Sequence, residues 1–120
     1  MVALNFQPQF APLIEARQKT QTIRRSNRVS VGDRLQLYTG QRTKACRKLV
    51  TPDPVCVVST YVGLRANDIT LGNVNHAPRD FDEFARADGF QNYAAMWKWF
   101  SERYETLSFT GRLIKWSFDL

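Results

Sequence analysis

The sequence predicts an α+β fold: a small mixed β-barrel with one short helix near the N-terminus and a helical insert before the last strand. Three observations carry this reading. Short β-forming segments recur along the chain, mostly separated by turn residues that suit hairpins. Helical periodicity is confined to one stretch before residue 20 and to residues 80–104, so the chain lacks the alternating crossover helices of a doubly wound sheet. A length of 120 residues suits one core, which predicts a single domain over residues 1–120.

Taken in order, Ala3-Leu4-Asn5-Phe6 alternates as a strand and Gln7-Pro8 ends it. Phe10, Leu13, Ile14 and Arg17 recur at helical spacing with Pro12 in the first turn, which predicts a helix over residues 10–17. The period then changes. Thr20-Gln21-Thr22-Ile23-Arg24 is β-branched and alternating, with Lys19 at its entrance. A basic loop over residues 25–28 and the turn Val31-Gly32-Asp33 lead to a second strand through Leu35, Leu37 and Thr39. Residues 40–54 carry Arg42, Lys44, Arg47 and Lys48 with Pro52 and Pro54, and read as a long basic loop or ragged hairpin. Residues 55–64 are strongly β-forming and pair by hairpin with residues 68–71. Asp80 can cap a helix through Phe81, Phe84 and Ala85 that closes at Asp88-Gly89. Asn92 can cap another, whose aromatic stripe of Tyr93, Trp97, Phe100 and Tyr104 reads as core. Residues 109–118 alternate as a terminal strand, with Leu113, Trp116 and Phe118 facing the core.

Composition narrows the function. Apolar runs such as Val55-Cys56-Val57-Val58 fall far short of a membrane span, and the N-terminus lacks the basic region of a secretory signal, so a cytoplasmic protein without membrane association is expected. Two cysteines and one histidine cannot supply the four ligands of a structural zinc site, and no metal or cofactor is expected. Cys56 reads as a small core residue, and a disulfide with Cys46 is left open. His76, in a turn-like stretch, is a weak catalytic candidate. The net charge of +6 is unevenly spread: residues 1–50 hold ten Lys/Arg against Glu15 and Asp33, a balance of +8, whereas residues 51–120 hold seven against nine acids, a balance of −2. Such a concentrated positive field suits a phosphate-bearing partner.

The densest candidate site is residues 18–25. On an extended segment Thr20, Thr22 and Arg24 share a face, with Ile23 toward the core and Lys19 at the bend. Hydroxyls beside a guanidinium suit a phosphate or a planar polar group. Arg25, Arg28, Arg42, Lys44, Arg47 and Lys48 are candidates for following a phosphate backbone, and Tyr38, Tyr61 and Tyr93 for stacking on a base. The alternative for each is a solvated loop or ordinary packing.

Lys19-Thr20-x-Thr22-Ile23-Arg24 after a short helix, Gly32-Asp33-x-Leu35-x-Leu37, Ala85-x-x-Asp88-Gly89-Phe90, Met96 with Trp99-Phe100, and Phe109-x-Gly111-x-Leu113-Ile114-x-Trp116 together resemble the ASCH family. The resemblance spans nearly the whole chain. It implies a PUA-like β-barrel and an RNA-binding or modified-nucleoside-binding module with a polar, basic cleft. It also implies a second activity, because a bacterial branch of that family hydrolyses acetylcytidine to cytidine and acetate with a Lys, a Thr and a carboxylate. By motif these fall on Lys19, Thr22 and Asp88, the last standing where the enzymes carry Glu, with Glu83 as the alternative carboxylate. The helical region is longer here than in that branch. A ribonuclease is a third reading, weakened by the lack of a histidine pair.

Overall fold

The computed structural model describes residues 1–25, 28–72 and 77–118, so His76 lies outside the described residues. The elements are β1 (Val2–Phe6), a 3-10 turn (Pro8–Phe10) running into α1 (Ala11–Glu15), β2 (Gln21–Arg24), β3 (Leu35–Thr39), β4 (Arg47–Lys48), β5 (Val55–Arg65), β6 (Asp68–Leu71), α2 (Phe81–Ala87), α3 (Tyr93–Tyr104) and β7 (Phe109–Ser117). The fold is α+β, as expected. No helix among the described residues is long and apolar enough to cross a membrane. The first helix is shorter than its periodicity predicts because Arg17 takes a left-handed conformation, φ 60°, that turns the chain away.

The strands form two sheets. One has the order β1-β3-β4, the other β2-β7-β5-β6. They meet at a corner where Arg34 bridges Val55, supported by Leu35 N–H to Pro54 O at 2.9 Å and Cys56 N–H to Asp33 O at 2.8 Å. Among the described residues the ladders do not close into a barrel. Hairpin pairing holds for β5 with β6 and for β3 with β4, but β1 pairs in parallel with β3, and β2 pairs with β7 from the far end of the chain. The parallel pair needs a crossover, which α1 and β2 supply.

Two apolar clusters result. One gathers Leu4, Phe6, Leu35, Leu37, Cys56, Ile114 and Trp116, and the other Ile23, Val62, Leu64, Phe84, Met96, Phe100, Phe109 and Leu113 under α2 and α3. β5 and β7 serve both. In β5 the register shift between Cys56 and Val58 makes this possible: Cys56 pairs with Trp116 while Val58 pairs with Lys115, so the next even-numbered residues of β5 turn to the opposite face. Cys56 therefore enters one core, and Val62 and Leu64 the other. The free thiols leave Cys56 buried and Cys46 exposed.

Both helix caps form as their sequences predict. Asp80 Oδ1 accepts from the Glu83 N–H at 3.0 Å and Asn92 Oδ1 from the Ala95 N–H at 2.8 Å.

Candidate functional site

The site forms where the segment leading into β2 docks on the C-terminal end of α2. That helix closes in a Schellman turn, with Phe90 N–H bonded to Ala85 O at 2.9 Å, Gly89 N–H to Arg86 O at 3.0 Å, and Gly89 at φ +95°. The last carbonyls of a helix need outside donors. Thr20 N–H supplies one, to Ala87 O at 2.9 Å, and Lys19 Nζ supplies another, to the Asp88 backbone O. A cation at a helix C-terminus is favoured by the dipole as well as by the bond. The chain thus fixes Lys19 against Asp88 through the backbone before their side chains interact.

Lys19 and Asp88 are each 2% exposed. Lys19 Nζ lies 3.7 Å from Asp88 Oδ2 and 4.8 Å from the Phe10 ring centroid, and Gln21 Nε2 donates to Asp88 Oδ1 at 3.3 Å. The other end of that amide, Gln21 Oε1, is buried without a partner among the described residues. Burial pushes the Asp88 carboxyl up to about 6, against the opposing pull of Lys19, the Gln21 bond and Arg24. Burial also lowers the Lys19 ammonium from its ordinary value; Asp88 resists that shift and Arg24 reinforces it. Desolvation therefore drives both partners toward their neutral forms.

Lys19, Asp88, Thr22 and Arg24 line a cleft of about 310 Å³. Its apolar walls are Phe6 and Phe10 from the N-terminal segment, and Phe90, Trp99, Phe100 and Tyr104 from α3 and its approach. These rings meet edge-on or tilted, with centroids 4.9 Å apart for Trp99 and Phe100, 5.7 Å for Phe90 and Trp99, and 5.5 Å for Phe10 and Phe90. Arg24 is held by a 2.8 Å bond to Asn5 O and by the Phe6 ring, 4.8 Å away. Arg103 joins the lining, its guanidinium 5.1 Å over Trp99. The cleft thus offers aromatic walls, two guanidinium groups and one buried acid–base pair. Such a mixture has the chemistry to accommodate a planar group with a polar edge.

The structure gathers some of the sequence-predicted residues and disperses others. Lys19, Thr22, Arg24 and Asp88 come together, whereas Glu83 is exposed and lines grooves elsewhere. Thr20 does not reach the cleft: β2 begins after it, its amide is bonded to Ala87 and its carbonyl accepts from Trp116 N–H at 3.2 Å. Arg25 sits at the rim, 5.3 Å over the Tyr104 ring. Arg28 faces a separate opening. Arg47 is paired with Glu15, and Lys48 with Asp53 at 2.7 Å, so the basic loop is partly neutralised by its own neighbours, and Arg42 and Lys44 are exposed outside the cleft. Tyr38 is half-buried on β3, on the strand face opposite Leu37 and Thr39. Tyr93 is buried and its hydroxyl donates to Arg65 O at 2.5 Å, which removes it as a stacking platform.

Sequence reasoning missed Gln21, Phe6, Phe10, Trp99 and Arg103, and assigned Phe100 and Tyr104 to the core alone. For Trp99 and Arg103 the signal in the sequence was their i, i+4 spacing, which stacks a guanidinium on an indole. In comparisons with protein-family models, curated proteins and solved structures, the chain matches none.

Proposed function

We propose that this chain is an ASCH-type module, built on an opened PUA-like barrel, that binds a nucleobase of RNA or of a modified nucleoside in the Lys19–Asp88 cleft, in a cytoplasmic setting. The observation that carries this reading is the pairing of aromatic walls with Lys19, Asp88, Arg24 and Arg103 in one cleft of about 310 Å³. A base stacked on such a wall gains roughly 1–3 kcal/mol in single-strand binders, and the buried polar groups discriminate among base edges. Titration calorimetry with cytidine, acetylcytidine and uridine tests it. Measurable binding of at least one, weakened about tenfold or more by Trp99→Ala and by Arg24→Gln, is the expected result. No binding of any nucleoside or short RNA would sink the proposal.

A second reading, hydrolysis of acetylcytidine, is favoured by one observation: burial shifts Lys19 toward the neutral amine in the cleft that Thr22 also lines. In it, Thr22 Oγ1 attacks the acetyl carbonyl and Lys19 takes the hydroxyl proton. The exocyclic amine then leaves with that proton, and water releases acetate from the acyl-threonine. Binding takes precedence because Lys19 Nζ is bonded to Asp88 and, among the described residues, not to Thr22. Incubating the protein with acetylcytidine and assaying for cytidine separates the two readings; turnover lost in Thr22→Val with nucleoside binding retained would support the enzyme.

A further inference from the structure

Beside the cleft the four-stranded sheet carries a row of two arginines and a tyrosine across three strands. Arg24 of β2 is directly opposite Arg112 of β7, and Arg112 is directly opposite Tyr61 of β5. Residues directly opposite in antiparallel strands project to the same face. Two residues along β7 the same face carries Ile114, which is buried in the core, so the face is covered at one end and open at the other, where Arg112 is exposed and Tyr61 is 38% exposed. The Tyr61 ring lies over Gly63, its hydroxyl 3.1 Å and its Cζ 3.6 Å from where a Cβ would stand. The absence of a side chain at Gly63 leaves room for the end of the Tyr61 ring. Arg112 and Arg28 together line a shallow opening of about 450 Å³ with Ser30 and Ser59. Among the described residues neither arginine is paired with a carboxylate, and the nearby Asp33 is tied to the Ser30 N–H at 2.9 Å.

We propose that this row is a track for single-stranded nucleic acid leaving the cleft: Arg24 at the mouth, Arg112 and Arg28 on the backbone phosphates, and Tyr61 under the next base. The inference rests on the nucleobase reading of the cleft and extends it, because it makes the ligand a base presented by a strand rather than a free nucleoside. From Arg24 to Tyr61 is two strand spacings, about 10 Å, a step the length of a nucleotide or two. Guanidinium groups with no carboxylate partner among the described residues suit phosphate, and an exposed tyrosine ring suits any base, so the track reads backbone and stacking rather than sequence.

The test compares a free nucleoside with a six-nucleotide single-stranded RNA carrying the same base, using wild type, Arg28→Gln/Arg112→Gln and Tyr61→Leu. Expected is unchanged nucleoside affinity in both variants, with RNA affinity reduced roughly five- to hundredfold by Tyr61→Leu. The double arginine variant should flatten the salt dependence, lowering the slope of log affinity against log salt by about 0.7 for each phosphate no longer neutralised. RNA binding unchanged in both variants, or duplex RNA bound as well as the single strand, overturns the track. If the RNA binds through Arg112 and Tyr61 while no nucleoside binds and Trp99→Ala has no effect, the track stands and the cleft reading falls. A DNA hexamer of the same sequence distinguishes a 2′-hydroxyl requirement from backbone binding alone; equal affinity supports a track that reads only phosphate and base faces, whereas no DNA binding overturns that backbone-only description.

Discussion

Lys19 and Asp88 are a lysine and a carboxylate removed from water in order to finish a helix. Their ionisation is therefore coupled to folding. The Asp88 carboxyl sits at about 6 in the fold against an ordinary 3.8. The native state thus binds more protons than the unfolded state between those values, and the contribution of Asp88 to stability falls as pH rises from about 4 through 6. Lys19 has the opposite sense. Its folded value lies below 10.5, so the native state binds fewer protons on the alkaline side and stability recovers as pH rises toward that value. Urea unfolding across this range should show the acidic decline. Lys19→Met, which removes the opposing charge, should move the decline to higher pH and leave a larger stability deficit at pH 8 than at pH 5. An unchanged pH profile in that variant would show that the pair is not coupled to folding. Because the Lys19 ammonium also closes the end of α2, loss of activity in a Lys19 variant is ambiguous, and Thr22→Val is the cleaner probe of chemistry. Lys19, Thr22 and Asp88, which the motif names together, line one cleft. The motif was silent on Gln21, because a glutamine in a β-forming stretch carries no sign that its amide will meet a carboxylate 67 residues further along.

At the level of elements, the turn between α2 and α3 determines whether the cleft exists. Gly89 has φ +95°, and a Cβ there would lie 3.0 Å from Phe10 Cδ1 and 3.1 Å from Lys19 Cδ. Gly32 has a similar φ of +97° with nothing within 4 Å. Substituting each by alanine separates two costs. Gly32→Ala meets backbone strain alone, about 1–2 kcal/mol. Gly89→Ala adds a collision with the two residues that seat the pair, so it should cost roughly 1 kcal/mol more in urea unfolding and weaken nucleoside binding, which Gly32→Ala should leave unchanged. Equal losses would mean that the Phe10 and Lys19 side chains yield freely. Asp88-Gly89, Asp80 and Asn92 were legible as punctuation because capping depends on a few adjacent residues. The parallel pairing of β1 with β3 and the pairing of β2 with β7 were not, because each strand's partner lies across intervening structure. Nor could periodicity distinguish core from cleft wall: Phe100 and Tyr104 occupy the same helical stripe as Met96, and only the placement of β2 decides that part of the stripe faces an opening.

Across the whole molecule, charge is redistributed by the fold. The basic excess belongs to residues 1–50, yet Arg47 and Lys48 are paired with Glu15 and Asp53, while Arg103 and Arg112 come from the half with the negative balance. The fold brings Arg24, Arg25 and Arg28 together with Arg103 and Arg112 around the cleft and across the sheet. A count by halves does not see Arg112 beside Arg24, because β2 of the first half is paired with β7 of the second. This has a thermodynamic consequence. If three to five of these arginines meet phosphates of a bound single strand, log affinity should fall against log salt with a slope of about −2 to −3.5. Replacing Arg42 and Lys44 together by glutamine should leave the slope unchanged, since both lie outside the cleft and the row beside it, whereas Arg24→Gln/Arg112→Gln should reduce it by about 1.4. Filter binding over a salt series measures both. A slope that depends on Arg42 and Lys44 as strongly as on Arg24 and Arg112 would mean that the chain's positive charge attracts nucleic acid as a diffuse field, and that the fold does not aim it.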